Sequence, residues 1–165
     1  MKISLTQLSE GLNTLSFVEE LAELGIENHP NLREKVKVQV EIEQRAPHYF
    51  VKSSVYATGR FVCDRCASDF ELSLLGESHV LFSSDEALVG MSKHDEIHLI
   101  EPDAKEIDIT DDLRDTLLLA IPMKLLCSED CRGLCAGCGV NLNEEACRCA
   151  APPADSRWEA LRQLL

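Results

Sequence analysis

The stretch that decides the fold is Val36-Lys37-Val38-Gln39-Val40-Glu41-Ile42-Glu43, in which apolar and charged or polar residues alternate without interruption. Because side chains of a β-strand point alternately to its two faces, this pattern predicts a strand with one buried and one solvated face. A turn follows at Arg45-Ala46-Pro47-His48, and a return strand is predicted over residues 49–62. Alternation resumes in Phe70-Glu71-Leu72-Ser73-Leu74, so the three strands predict an antiparallel meander.

A first helix is expected before this sheet. Ile3 and Leu5 indicate an edge strand, and apolar residues then recur at helical spacing over residues 17–24. Gly25 is a suitable helix stop. The members of the predicted helical face are Phe17, Val18, Leu21 and Leu24.

A second helix is predicted over residues 111–121, after a short strand at residues 106–109. Thr110 or Asp111 is expected to cap its amino terminus, and Pro122 to end or kink it. The residues expected to face inward are Leu113, Leu117, Leu118 and Ile121.

These elements predict an α+β fold: an antiparallel sheet with flanking helices and a C-terminal cysteine-rich, zinc-binding segment. Residues 1–126 are expected to form the α+β domain, with an acidic loop over residues 83–96. Residues 127–149 are the predicted metal-binding segment, and residues 150–165 an Ala-Pro linker followed by a short helix.

The interpretation of the eight cysteines depends on the cellular compartment. The first seven residues lack the continuous apolar run of a secretory signal. The longest strongly apolar run, residues 117–123, is far shorter than the roughly 20 residues that span a bilayer. We therefore expect a soluble, cytoplasmic protein without a membrane partner, whose reduced thiols bind metal. A secreted origin would instead favour disulfides.

The most specific cysteine pattern is Cys135-Ala136-Gly137-Cys138-Gly139 followed by Cys147-Arg148-Cys149. A C-x2-C pair places two thiolates in one tight turn, where a single tetrahedral ion can bind both. Buried structural cysteines are a weaker explanation, because this Gly-, Asn- and Glu-rich segment has no core of its own. Cys135, Cys138, Cys147 and Cys149 are therefore predicted to bind one metal ion.

Four further cysteines are candidates for a second site. Cys63 and Cys66 fall between two predicted strands, where a hairpin tip can present both thiolates. Cys127 and Cys131 have i,i+4 spacing and would point the same way on a helical turn. The sequence does not assign which pairs share an ion, so an exchange of partners between the two sites stays open.

Zinc is the expected metal, with one or two ions per chain, because it commonly stabilises segments too small to form a core. An iron–sulfur cluster or a mononuclear iron site would accept the same four thiolates. A thioredoxin-like redox centre fits poorly, since Cys63 comes from an antiparallel strand and not from a βαβ unit.

The net charge is −13, and the sequence shows no basic patch of the kind that binds the phosphates of a nucleic acid. The plain explanation of this charge is solubility, and the more specific one is a preference for basic partners. The sequence contains no Ser-His-Asp pattern, phosphate-binding loop or H-E-x-x-H, and of the five histidines only His94 and His98 are spaced i,i+4. No enzyme is predicted.

Several segments together carry a resemblance to a known family. They are Phe61-Val62-Cys63-Asp64-Arg65-Cys66, Glu106-Ile107-Asp108-Ile109-Thr110-Asp111-Asp112-Leu113, Leu119-Ala120-Ile121-Pro122, the run from Leu126-Cys127 to Cys147-Arg148-Cys149, and Asp155-Ser156-Arg157-Trp158. Over roughly residues 35–165 the chain resembles the cysteine-rich, YlbN-like branch of the YceD/YlbN family, whose members are linked to accumulation of large-subunit (23S) ribosomal RNA. Ala67 departs from the family pattern, which often has glycine there. A shorter branch lacks the full C-terminal cluster, which implies that the cluster reinforces the structure.

The resemblance implies a non-enzymatic role in large-subunit biogenesis. We expect an adaptor for a basic ribosomal protein or assembly factor, with contact to ribosomal RNA possible but indirect. The alternative from another class is a redox-regulated chaperone that loses thiolate-bound zinc on oxidation. An electron-transfer iron protein is a third, and it would be coloured.

Overall fold

A five-stranded sheet dominates the computed structural model, which describes residues 1–45, 47–86 and 97–149. The spatial order is β2-β3-β4-β5-β6. The strands are β2 Gly11–Glu20, β3 Lys35–Arg45, β4 His48–Val62, β5 Asp69–Ser83 and β6 Ile97–Leu99. Neighbours from β2 to β5 are antiparallel, which confirms the meander, but β6 pairs in parallel with the end of β5. The sheet is therefore mixed.

The alternating stretch forms β3 as expected. Its even-numbered apolar residues are buried, with exposed fractions of at most 1%, because they face the core while the polar residues between them face outward. β3 lies between β2 and β4, with Val40 opposite Leu15 on one side and Ser53 on the other.

The predicted helix over residues 17–24 is wrong. Residues up to Glu20 belong to β2, and only Leu21–Leu24 turn, as a short 3-10 helix ending at Gly25 with φ 71°. The inward positions of β2 are only half-buried and include Asn13 and Glu19, so their apolar alternation is weak in sequence. The apparent helical spacing arises where an edge strand runs directly into the 3-10 turn.

A second layer covers one face of the sheet. It contains β1 Lys2–Ser4 paired antiparallel with β7 Glu106–Asp108, a 3-10 turn Leu5–Gln7, and the single described α-helix, α1 Thr110–Leu119. The shared core contains Ile3, Leu5, Leu21, Leu24, Val36, Val38, Val40, Ile42, Val51, Val55, Ala57, Phe61, Leu74, Val80, Phe82, Ile107, Ile109, Leu113 and Leu117.

Helix α1 starts near its predicted position but is capped differently. Ile109 occupies the N-cap, so neither Thr110 nor Asp111 does. Asp108 instead accepts hydrogen bonds from the backbone N–H of Thr110 at 3.0 Å and from its hydroxyl. These bonds, the hydroxyl above all, lower the pKa of Asp108 to about 2.

The buried face of α1 is narrower than predicted. Leu113 and Leu117 are fully buried, whereas Leu118 is 37% exposed. The helix ends at Leu119, ahead of Pro122, and lies so close to β5 that a Cβ on Gly76 would be 2.7 Å from the Thr116 carbonyl oxygen.

Several sequence predictions lie outside the described residues: most of the acidic loop, the Ala-Pro linker and the helix predicted over residues 155–165. Within the described ranges, no helix combines the length and apolarity needed to cross a membrane. The division of the chain at residue 126 stays a prediction.

Candidate metal centres

The structure brings the eight cysteines together as two groups of four. The hairpin cluster contains Cys63, Cys66, Cys127 and Cys131. The C-terminal cluster contains Cys135, Cys138, Cys147 and Cys149. Within each group all sulfur atoms lie within 4.8 Å of one another, so each can hold a metal ion. The exchange of partners that the sequence left open does not occur in this structure.

The sulfur separations suit a tetrahedral ion. Four sulfurs about 2.3 Å from one ion are about 3.8 Å apart. The close pairs of the hairpin cluster are Cys63–Cys131 at 3.8 Å and Cys66–Cys127 at 3.6 Å. In the C-terminal cluster, Cys135 lies 3.2 Å from Cys147 and 4.0 Å from Cys149. All eight cysteines are free thiols, with no disulfide between them.

The turn between β4 and β5 presents the first two sulfurs of the hairpin cluster. The Cys63 N–H donates to the Ser68 carbonyl oxygen and the Ala67 N–H to that of Cys63, both at 2.9 Å. The turn places Ala67 at a φ of 56°, a left-handed conformation that favours glycine. Alanine, in place of the glycine that the family often has, is therefore strained at this position of the turn.

The other two sulfurs reach the hairpin because the chain after α1 returns to its tip. Asp64 and Leu125 exchange hydrogen bonds, from the Asp64 N–H at 2.8 Å and to its carboxylate at 2.7 Å. The Arg65 guanidinium donates to the carbonyl oxygens of Glu129 at 3.0 Å and Cys131 at 2.9 Å. The hairpin cluster therefore joins the sheet to a segment more than 60 residues away in sequence.

A second small turn forms the C-terminal cluster. A bridge between Leu134 and Asn141 closes it, and the Gly139 N–H donates to the Cys135 carbonyl oxygen at 2.8 Å. Gly137 is needed for space, since a Cβ there would lie 2.9 Å from the Cys149 sulfur.

The two clusters differ in burial. In the hairpin cluster only Cys127 is exposed, whereas in the C-terminal cluster only Cys135 is partly covered. Oxidants and chelators in solution therefore meet the C-terminal sulfurs first.

The surroundings lower the pKa of two thiols in the hairpin cluster, Cys63 and Cys131, and of one in the C-terminal cluster, Cys135. Burial raises the pKa of Cys131, but hydrogen bonds from the Asn143 side chain and the Gly133 backbone outweigh it. Burial raises the pKa of Cys63, but backbone N–H groups of Cys127, Cys66 and Arg65 outweigh it and leave the pKa at about 6. The backbone at Cys138, the Cys147 thiol and the backbone at Gly137 lower the pKa of Cys135 to about 6.

Another thiol of each cluster keeps its proton. A hydrogen bond with Cys66 raises the pKa of Cys127 to about 12, and one with Cys138 does the same for Cys149. Four closely spaced sulfurs cannot all ionise together without a cation, so each site suits a divalent ion.

Sequence reasoning missed several residues that support the clusters. The Asn143 side chain donates to the Cys131 sulfur at 3.3 Å and accepts from the Arg132 N–H at 2.8 Å. Asn141 donates to the Ser68 hydroxyl at 3.3 Å and so connects the C-terminal turn with the hairpin tip. In the sequence, the only indication of this supporting role was that both asparagines lie within the cysteine-rich segment.

His98 contributes to neither cluster. Its Nε2 lies 3.1 Å from Asp112 and its ring stacks on Phe82, with 5.0 Å between ring centroids. Its predicted i,i+4 neighbour, His94, lies outside the described residues.

Comparison with known proteins gives a family match over most of the chain. A family model described as large ribosomal RNA subunit accumulation protein YceD matches residues 51–165. The chloroplastic YCED homolog 1 of Arabidopsis thaliana, a protein of the same description, is 37% identical over 70 residues, which is 42% of this chain and 22% of that protein. The Zea mays homolog 1 is 43% identical over 56 residues, or 33% of this chain and 19% of the relative. The alignments thus span about a fifth of each relative. No solved structure matches.

Proposed function

The chain belongs to the YceD family of large ribosomal RNA subunit accumulation proteins, and on that premise we propose that it is a non-enzymatic factor in large-subunit biogenesis. It acts as an adaptor that holds a basic ribosomal protein or assembly factor, and so promotes accumulation of 23S ribosomal RNA. The family match over residues 51–165 is the observation that carries this proposal.

The charge of the chain supports a protein partner over direct contact with RNA. A net charge of −13 repels phosphates and speeds encounter with a basic protein. Three of the five Lys and Arg side chains in the strands of the described sheet are paired with carboxylates, as Arg45–Glu43, Lys52–Glu77 and Arg60–Asp69. Ribosomal RNA is then affected through the partner.

Both cysteine clusters bind zinc in this proposal, and the metal is structural. The sulfur spacing and the four-thiolate sets support this assignment. The hairpin cluster fixes the segment after α1 to the sheet, and the C-terminal cluster orders a segment with too few apolar residues to form its own core.

Deletion of the gene tests the functional proposal. The ratio of 23S to 16S ribosomal RNA should fall in the deletion strain and return when the chain is expressed from a plasmid. Affinity-tagged protein should copurify with an identified basic ribosomal protein or assembly factor, and ribonuclease treatment should leave that association intact. An unchanged RNA ratio, or an association lost with ribonuclease, would contradict the proposal.

The exposure of the C-terminal cluster favours one second candidate, a redox-regulated chaperone. Cys138, Cys147 and Cys149 are exposed, so peroxide can reach them and release the metal. Suppression of the aggregation of a heat-denatured client after peroxide treatment, and not before it, would support this candidate. Equal suppression of aggregation before and after peroxide treatment would contradict the chaperone function.

A further inference from the structure

Backbone hydrogen bonds show which residues of β4 face each neighbouring strand. The Arg60 N–H donates to the Asn31 carbonyl oxygen at 2.8 Å, and the Thr58 carbonyl oxygen accepts from the Arg33 N–H at 3.0 Å. Both bonds lie on the side of β4 that faces β3. Even-numbered residues of β4 therefore direct their backbone groups toward β3, and odd-numbered residues direct theirs toward β5.

The register then fixes the free edge of β5. Odd-numbered residues of β4 pair with even-numbered residues of β5, as Val55 does with Gly76. Odd-numbered residues of β5 must direct their N–H and C=O groups to the opposite edge. The Ser83 carbonyl oxygen agrees, because it accepts from the Ile100 N–H on that edge.

Most of this edge has no partner strand among the described residues. β6 covers only Leu81–Ser83. The uncovered residues with outward backbone groups include Leu75, Glu77 and His79. Such an edge is a template for an additional strand.

A groove of about 620 Å³ runs along the same edge. Six consecutive residues, 75–80, line it, and consecutive strand residues point to opposite faces, so the groove borders the strand edge itself. Helix α1 forms its other wall through Asp112, Asp115, Thr116 and Leu119. Six residues of strand extend about 20 Å, enough for an added strand of similar length.

The lining of the groove is acidic and contains an unsatisfied polar atom. Glu77, Asp112 and Asp115 line it, and none of its lining residues is Lys or Arg. Lys52 and Arg114 contact two of these carboxylates from outside the lining. The Ser78 hydroxyl oxygen is buried and has no hydrogen-bond partner within the described structure.

We propose that this groove binds an extended basic segment of the partner protein as an additional strand on β5. The inference rests on the proposed adaptor function and names the surface that performs it. Main-chain hydrogen bonds to Leu75, Glu77 and His79 supply the pairing. Lysine or arginine side chains of the segment meet the acidic wall of α1, and its apolar side chains, on the opposite face of the strand, lie beside the exposed Leu75.

A proline at Leu75 tests the pairing. It removes an N–H that points to the open edge and none that bonds β4, so the sheet should remain folded. The probe is a fluorescent peptide of about ten residues that alternates lysine and valine, and binding is followed by anisotropy. We expect Leu75→Pro to weaken binding about tenfold.

The matched control is Ser16→Pro on β2, the strand at the opposite side of the sheet. The Leu21 N–H donates to the Glu34 carbonyl oxygen, so by the same parity Ser16 directs its N–H outward. This variant should bind the peptide as wild type does. Circular dichroism confirms that both variants are folded, and equal weakening by both would overturn the proposal.

The charge of the groove is tested separately, with variants that do not alter the strand. Asp115 and Asp111 both accept a hydrogen bond from Arg114, but only Asp115 lines the groove. Asp115→Lys should weaken peptide binding several-fold more than Asp111→Lys. Equal effects would mean that overall charge, and not this groove, attracts the peptide, which would overturn the proposal.

Two further measurements separate this inference from the proposed function. If wild-type protein and Leu75→Pro copurify equally with the basic partner, the groove is not the binding site, while the adaptor function stands. If wild-type protein binds no ribosomal component, the adaptor function fails whatever the peptide does. Sedimentation that shows a dimer dissociated by Leu75→Pro would assign the edge to a second copy of the chain and overturn the proposal.

Discussion

Ala67 is a residue whose backbone conformation conflicts with its side chain. At a φ of 56° a Cβ is unfavourable, and glycine relieves the conflict. We predict that Ala67→Gly raises the free energy of unfolding by about 1 kcal/mol, measured by urea denaturation with metal bound. Ala57→Gly is the control, because Ala57 lies in an extended, buried part of β4 and its loss should destabilise the protein. A destabilised Ala67→Gly would contradict the left-handed turn.

Gly137 controls the space available to one sulfur of the C-terminal cluster. A Cβ would lie 2.9 Å from Cys149 and displace it. Gly137→Ala should therefore weaken metal binding at this cluster about 10- to 100-fold, the range found when support around a metal site is lost. Competition with a chromogenic chelator measures the affinity, and Ala136→Ser in the same turn should have little effect. Equal affinity of Gly137→Ala and wild type would contradict the close approach.

Asp108 gives the fold a defined pH dependence. Its pKa is lowered from 3.8 to about 2 in the folded state, so its contribution to stability is present above pH 4 and is lost as the pH falls toward 2. Asp108→Asn should be less stable than wild type at pH 6, and the difference in urea midpoint should shrink toward zero near pH 2. A difference that is constant over this range would show that Asp108 is not the responsible group.

At the scale of elements, each cluster should lose its metal ion without affecting the other cluster. Cys138→Ser should release one metal ion and make residues 134–149 sensitive to protease, while Cys127 and Cys131 stay bound to the hairpin. Cys66→Ser should release the other ion and free the chain from residue 125 onward. Elemental analysis and limited proteolysis with mass spectrometry measure both. Loss of both ions in Cys138→Ser would mean that the clusters fold as one unit.

The strands that the sequence predicted well are those with a full buried face. β3 alternates without exception, and β4 follows from its apolar spacing and the preceding turn. Of β5, which extends to Ser83, only the alternating residues 70–74 were predicted. β2 was missed because its inward positions mix polar with apolar residues, and β6 because three residues carry too short a pattern. Edge strands bury less surface, so their sequences are less constrained.

The sequence predicted the two sets of four cysteines that the structure brings together, but it left open an exchange of partners between them. Spacing brings Cys135 and Cys138 together locally, and any tight turn does this. The union of Cys63 and Cys66 with Cys127 depends on the path of the chain after α1 and on the Asp64–Leu125 hydrogen bonds. Such long-range contacts have no periodic signature.

At the scale of the whole molecule, the sheet and its covering layer share one core, whereas we propose that the cysteine segment depends on bound metal for its order. Protein purified without chelator should contain close to two zinc ions per chain and be colourless. Chelation should remove both ions and expose residues 125–149 to protease, while the far-ultraviolet circular dichroism of the sheet persists. A brown protein would indicate iron, and collapse of the sheet signal on chelation would show that the core depends on metal.

The hairpin cluster also imposes an order of events during synthesis. Cys66 and Cys127 are separated by 61 residues, which at 5–20 residues per second take about 3–12 s to translate. Throughout that interval the nascent chain carries a two-sulfur half-site at the tip of a hairpin that can already pair. If the cluster binds metal as proposed, the ion can be enclosed only when Cys127 and Cys131 leave the ribosome. Metal-starved cells should therefore accumulate chains with a folded sheet and an unattached segment from residue 125 onward.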